Sequence, residues 1–421
     1  MHRFLEKTKA FFLESDTSFL FALSLIALGV IYWIIVLATH GLAMESYFSR
    51  DYHDLFMDYF NILPRVVNGD PYSFKSNYPP LILLIFSFLY RLIPGDYVII
   101  DSYSLREYTP AGIGFLFFIL VCILGAFLCI LAFSPKGHKG KYLFATAFVF
   151  SGPFLFALER GNFIILALVF LLSFLLLYDS EKLPLRIVAY FCLAVSAALK
   201  IYPAVFGLLV LLKKRFWEAG LLAVLGVLVF FLPFFAFHGL GDFVRMMDYI
   251  RELGEYQALT NLGSAHGFSF LNLFSIAAEL SGGTIVITPL VAGIVAAVFT
   301  LPLFFLAETD YQRTLSLVML CIWVPTFSYT YTLIFFVVPL LYLLKEEPKL
   351  NWTNVLPFIC LLLILTPMAL PAVFNYSRYR PGAIDHGTLL INCSIIVMLA
   401  SAYGQAISQR ISKRKEHEIA A

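Results

Sequence analysis

Residues 110–133 read PAGIGFLFFILVCILGAFLCILAF, without a single charged side chain. A run of this length exceeds the ~20 apolar residues that a helix needs to cross the hydrocarbon of a bilayer. Within that hydrocarbon every backbone N–H and C=O must be satisfied inside the chain, so the run predicts a spanning α-helix. Ser18–His40, Trp217–Phe237, Thr284–Leu306 and Leu389–Tyr403 repeat the pattern. The composition agrees: 61% of the residues are hydrophobic and 13% charged, against roughly a quarter charged in soluble domains. A water-soluble globular enzyme is excluded.

The expected architecture is all-α: a polytopic transmembrane helical bundle of about twelve helices, forming a single transmembrane domain over 1–421. Spans are expected near 18–40, 78–94, 110–133, 142–158, 162–178, 184–212, 216–238, 284–306, 314–328, 331–344, 352–374 and 388–407. Met1–Thr17 is charged and no small-residue cleavage site follows the first run, which therefore reads as a retained helix and not a signal peptide. Arg3, Lys7 and Lys9, then Lys213, Lys214 and Arg215, then Lys345 and Lys349, and finally Arg410, Lys413, Arg414 and Lys415 fall on one side of this count. By the positive-inside rule that side, with both termini, is cytoplasmic. Lys136, Lys139 and Lys141 fall opposite: either that loop is an exception or one short segment among 78–178 does not span. Frequent Phe and Lys with short loops point to a bacterial inner or cell membrane. All six cysteines lie inside apolar runs with no CxxC pair, so neither structural disulfides nor zinc-thiolate sites are expected. The net charge of +2 gives no reason to expect nucleic acid.

Three polar segments then face outward, 41–77, 239–283 and 375–387. The first reads ESYFSRDYHDLFMDYFNILPRVVNGDPYSFKSNYPPL from Glu45 to Leu81, setting Asp51, His53, Asp54, Asp58, Arg65, Asp70 and Lys75 among aromatic residues. A helix over Asp51–Val67 would place Asp51, Asp54 and Asp58 on one face. A carboxylate walled by aromatics near the membrane surface is suited to general-base work, because partial desolvation raises its pKa; solvated loop acids are the alternative. Asn68-Gly69-Asp70-Pro71 is turn chemistry, and Pro79-Pro80 returns the chain to the bilayer. In the second loop, Phe243, Met246, Met247 and Ile250 oppose Arg245, Asp248, Arg251 and Glu252, which predicts a helix lying on the membrane surface.

Lys200 sits inside the apolar run AALKIYPAVF. An ionisable residue there costs about 3 kcal/mol on insertion scales, so it faces a cavity or partner, or snorkels at a break near Tyr202-Pro203. Glu159-Arg160-Gly161-Asn162 reads as an interhelical turn whose charges mark an interface. His266 lies in a small-residue loop that could approach a ligand, or simply be solvated. Arg378 and Arg380 beside tyrosines suit an anionic headgroup or phosphate, or interface anchoring. No HExxH, DxD, Cys/His cluster, P-loop or dinucleotide fingerprint is present, so neither a metal nor another cofactor is expected.

Taken in order, MDYFN (57–61), NGDPY (68–72), YPPL (78–81), RGNFIILAL (160–168), ALKIYPAVF (198–206) and KKRFW (213–217) resemble the C-type glycosyltransferase superfamily. Within it the pattern is similar to the polyprenyl-phosphate-mannose-dependent mannosyltransferases of glycosyltransferase family 87. The resemblance implies inverting transfer of a sugar, mannose, from a polyprenyl-phosphate donor to a glycolipid or glycan acceptor on the outer face, among membrane lipids. Asp58 matches the first-loop acid and would be the base, with Asp54 as fallback. Lys200 matches the lysine of LK-x-YP, and TNLGSAH (260–266) sits where such proteins carry N-x-S. Tyr78, Tyr202, Lys200, Arg65, Lys75, His266, Arg378 and Arg380 form the expected substrate-binding set. Two departures stand out: Asn162 fits GQ-x-N loosely, and Tyr329 and Tyr331 occupy a segment where the family holds a histidine. A transporter or flippase of a lipid-linked or amphipathic substrate, using Lys200 as an intramembrane site, is the rival reading. A non-catalytic member of the same fold is a third.

Overall fold

α-Helix and short 3-10 turns make up the regular structure of the computed structural model, which describes residues 15–46, 55–67, 70–73, 75–91, 102–134, 140–260, 267–281, 287–367 and 386–420. No strand occurs among them. Thr17–Ala38, Thr109–Phe133, Phe216–Ala236, Pro289–Leu306 and Gly387–Glu416 are long and apolar enough to cross a membrane. Lys141–Val149 and Gly152–Arg160, bent by 46°, add a sixth crossing if the two halves form one span. Pro153, without an N–H, follows the break and cannot continue the hydrogen-bond ladder of the preceding helix.

Five more apolar helices are shorter, such as Pro80–Arg91 with 12 residues, which rises only about 18 Å. Among the described residues, several of the about twelve expected helices are thus short or broken. The clearest correction is 184–212. It divides into Leu183–Leu199, a 3-10 turn at Tyr202–Gly207 and Leu208–Leu212. Lys200 takes extended dihedrals (φ −145°, ψ 122°), and Pro203 removes the donor that an uninterrupted helix would need.

The described chain forms two compact units. One comprises Met1–Ser46, Ile130–Phe154 and Thr260–Ala421. At its centre Asp310–Trp323 is buried on nearly every side, and several of its polar residues bond within the protein. Thr309 and Gln312 close a reciprocal capping box at its start. Ser316 donates to the Thr300 carbonyl at 2.7 Å, and Gln312 Nε2 donates to Gln409 Oε1 at 3.1 Å. Glu308 holds the long C-terminal helix, His386–Ala420, through Arg410 and Lys413. The Lys413 hydrogen bond, ahead of the charges of both cations, keeps the Glu308 carboxyl below the usual glutamate range. A depressed folded pKa contributes stability above the unfolded value of about 4.3 and loses it as pH falls through the folded value. Hydrogen exchange at 405–415 is accordingly expected to rise in wild type below about pH 4, and to be raised already at pH 7 in Glu308→Gln.

The other unit comprises Tyr47–Cys129 and Leu155–Leu259. Ile164–Leu177 packs on Leu183–Leu199, which packs on Phe216–Phe231. The last of these buries none of its residues although it is built from Leu, Val and Phe, the exposure expected of a lipid-facing helix. A helix is present in the second polar loop as Leu240–Thr260. Met246 is fully buried and Phe243 packs on Phe230, Phe231 and Phe234, whereas Met247, placed on the same apolar face by sequence, is exposed.

Candidate functional site

The first loop does not form the single helix expected over Asp51–Val67. Phe56 adopts a left-handed conformation (φ 56°), Met57–Phe60 makes one turn, and Leu63–Val67 follows after a break. Pro64 accounts for that break, since it could not donate to Phe60 in a continuous helix. Asp51, His53 and Asp54 lie outside the described residues, and with them the shared face expected for Asp51, Asp54 and Asp58.

Asp58 is in the first turn of Met57–Phe60, and that short helix is held from several directions. The Phe56 amide donates to the Glu159 carbonyl at 3.0 Å, and Arg106 Nε donates to the Leu55 carbonyl at 3.0 Å. Tyr59, beside Asp58, is buried against Phe60, Phe86, Phe115 and Phe118, with ring centroids 5.0–5.7 Å away. The loop carrying the acid is thus anchored by an aromatic core.

The carboxylate of Asp58 meets two donors from the turn after Gly152–Arg160. Arg160 Nη2 lies 3.2 Å from Oδ1 and Nε 3.4 Å from Oδ2, and Asn162 Nδ2 donates to Oδ2 at 2.6 Å. Asn162 is buried, and its own Oδ1 accepts the Ile164 amide at 2.9 Å, which fixes the amide's orientation. Only 11% of the Asp58 side chain remains exposed, so the charge-assisted bonds are shielded from competing water. Sequence reading took Arg160 for an interface charge; the RGN run was the one signal that pointed here.

Gly161 makes this turn possible. Its φ is +64°, and a Cβ would stand 2.8 Å from Tyr59 Cβ and 3.1 Å from Phe115 Cε2. Gly161→Ala is expected to cost roughly 1–2 kcal/mol for the left-handed backbone alone, with more for the overlap. A lowered Tm, together with slowed turnover in the fraction still folded, would register the displacement of Asp58 from Arg160 and Asn162.

Lys200 is half-buried at the helix break and interacts electrostatically with both Asp58 and Arg160. Its Nζ lies 5.4 Å from the Tyr78 ring centroid, a cation–π contact. Tyr78 is positioned in turn by Tyr72, whose hydroxyl donates to the Tyr78 carbonyl at 3.1 Å. Of the expected residues, Asp58, Lys200 and Tyr78 are therefore brought together, and Tyr202 opens the 3-10 turn two residues after Lys200. Lys75 instead pairs with Glu252 at 2.7 Å on an exposed surface, and Arg65 is half-buried in Leu63–Val67, making no hydrogen bond to Asp58. His266, Arg378 and Arg380 lie outside the described residues.

An apolar groove of about 880 Å³ runs between Leu183–Leu199, the 3-10 turn and Phe216–Phe231. Ala197 and Ile201, on either side of Lys200 in the chain, line it, opposite the small residues Gly220, Ala223 and Gly226.

Fold and site define a helical membrane protein that gathers an acid, an arginine and a lysine where its apolar helices break. The sequence profile of glycosyltransferase family 87 matches residues 77–328, more than half of the chain. The chain belongs to glycosyltransferase family 87, and is a membrane glycosyltransferase. Arg160, Asn162, Lys200 and Tyr78 all lie within the matched segment; Asp58 precedes it and enters the site through its contacts with the first two. No curated protein and no solved structure matches the chain.

Proposed function

We propose that the protein transfers a sugar, mannose, from a polyprenyl-phosphate donor to an acceptor hydroxyl on the outer face of a bacterial cell membrane. The observation that carries this reading is the Asp58–Arg160–Asn162 cluster beside Lys200 and the apolar groove. Asp58 is the general base. Its carboxylate takes the proton of the acceptor hydroxyl while that oxygen bonds to the anomeric carbon from the face opposite the leaving group. The bond between the anomeric carbon and the phosphate oxygen breaks, polyprenyl phosphate departs with the electron pair, and the configuration inverts. Lys200 offsets the charge gathering on the departing phosphate. Arg160 and Asn162 hold and aim the Asp58 carboxylate, and the prenyl chain lies in the groove lined by Ala197 and Ile201. The reaction as drawn uses no cofactor, the polyprenyl-phosphate sugar being the donor substrate.

The donor class is tested with purified protein in lipid, offered polyprenyl-phosphate mannose or a nucleotide-linked mannose with a glycolipid acceptor mixture. Transfer from the lipid donor alone is expected. Transfer from the nucleotide sugar at an equal or greater rate would overturn the donor assignment.

A further inference from the structure

Outside the Asp58 cluster, a second group of ligand-type side chains converges on the same unit. Asp70 begins the turn that follows the two short loop helices, His238 lies in the turn after the 3-10 segment Leu232–Ala236, and Asp242 is in the first turn of Leu240–Thr260. One donor atom from each falls within 4.8 Å of the others. We propose that Asp70, His238 and Asp242 bind a divalent transition-metal ion of the Zn²⁺ class.

The spacing carries the argument. His238 Nδ1 stands 3.6 Å from Asp70 Oδ1 and 3.5 Å from Asp242 Oδ2. Both separations exceed the 2.7–3.2 Å of an N–H···O hydrogen bond. They approximate the distance of about 3.4 Å between two ligands of a tetrahedral ion whose bonds are about 2.1 Å long. The donors are also held before any ion arrives. Asp242 is fully buried and its Oδ2 accepts the His238 backbone amide at 3.0 Å. Asp70 is fixed by the Ser73 amide at 3.2 Å and by the Ser73 hydroxyl. Tyr72, tilted against Phe234 and edge-on to Phe237, packs the Asp70 turn against the His238 turn.

Charge points the same way. Arg245 supplies one cation to the two carboxylates, at 3.2 Å from Asp242 and 3.8 Å from Asp70, and a bound ion would neutralise the remainder. An imidazole with two carboxylates suits Zn²⁺, Co²⁺ or Mn²⁺ better than the all-oxygen preference of Ca²⁺ and Mg²⁺. His238 is half-exposed, leaving a path of entry and a fourth position for water. The ion would fasten the first outer loop to Leu240–Thr260, and through Tyr72 and Tyr78 support the contact over Lys200.

The test is Co²⁺ titration of the chelator-treated full-length protein in lipid nanodiscs, followed by visible absorption and displaced by Zn²⁺. One equivalent with tetrahedral-type bands is expected, and His238→Ala and Asp70→Asn should each weaken binding at least about a hundredfold. Asp70 is partly exposed, so its variant remains informative if the histidine variant fails to fold. Arg245→Gln should retain the ion, whereas an ion pair between protonated His238 and the two aspartates would give no Co²⁺ signal in any variant. Absence of the bands in wild type, or unchanged binding in both ligand variants, would overturn the site. The readout is metal binding, so it is independent of the sugar-transfer reading.

Discussion

Asp58→Asn is expected to lower the rate of sugar transfer by about 10²–10⁴-fold, the usual contribution of a positioned general base. The substitution keeps the size of the side chain and removes its ability to accept the acceptor's proton. It also sets an amide against Arg160 Nη2 at 3.2 Å and Asn162 Nδ2 at 2.6 Å, so one of these donors loses its partner. Because that cost is local, the variant should fold and bind the donor with near-normal affinity. Arg160→Lys provides the companion measurement. It preserves the charge but not the two-pronged geometry, and should leave more activity than Arg160→Ala. Turnover of Asp58→Asn within about threefold of wild type would refute the base assignment.

The second large effect is expected at Lys200. Lys200→Met retains the apolar stem and removes the ammonium group. If that group offsets charge on the leaving phosphate, the loss belongs mainly to the transition state, and kcat should fall about 10²–10³-fold with a smaller rise in KM. A lysine that serves only to end the Leu183–Leu199 helix would give another pattern: lowered Tm, with kcat per folded molecule preserved. Lys200→Arg separates the cases again. It restores the charge, but the planar guanidinium cannot stand over Tyr78 at 5.4 Å in the same way, so partial activity is expected.

Several residues show why the site was only partly legible in the chain. Asp58, Tyr78 and Lys200 stood out because each belongs to a short ordered motif, MDYFN, YPPL and ALKIYPAVF. Arg160 and Asn162 belong to such a motif too, RGNFIILAL, but their contact with an acid was not legible, because an Arg-Gly-Asn turn between two apolar runs has the same local pattern whether it faces lipid headgroups or a carboxylate. Lys75 is expected among the substrate-side cations from its place in the first loop, and the structure pairs it with Glu252 of Leu240–Thr260. The helix proposed over Asp51–Val67 failed for a different reason. Its aspartate periodicity was suitable, but the left-handed Phe56 and the missing donor of Pro64 outweigh periodicity over so short a stretch. The same competition divides 184–212 at Lys200 and Pro203.

What the sequence alone determined was residence in a membrane, an all-helical build and membership of a family of sugar-transferring proteins. These follow from hydropathy summed over about 20 residues and from motif order, both of which are properties of contiguous chain. The tertiary structure decided which of the polar residues meet. Asp58 with Arg160 and Asn162, Lys200 with Tyr78, and Asp70 with His238 and Asp242 are pairings between distant segments. They arise because aromatic packing around Tyr59 and Tyr72 carries the first loop onto the other helices, where a buried charge must find an opposite charge or a hydrogen bond. Local pattern records how apolar a segment is; only packing fixes which charge lies opposite another.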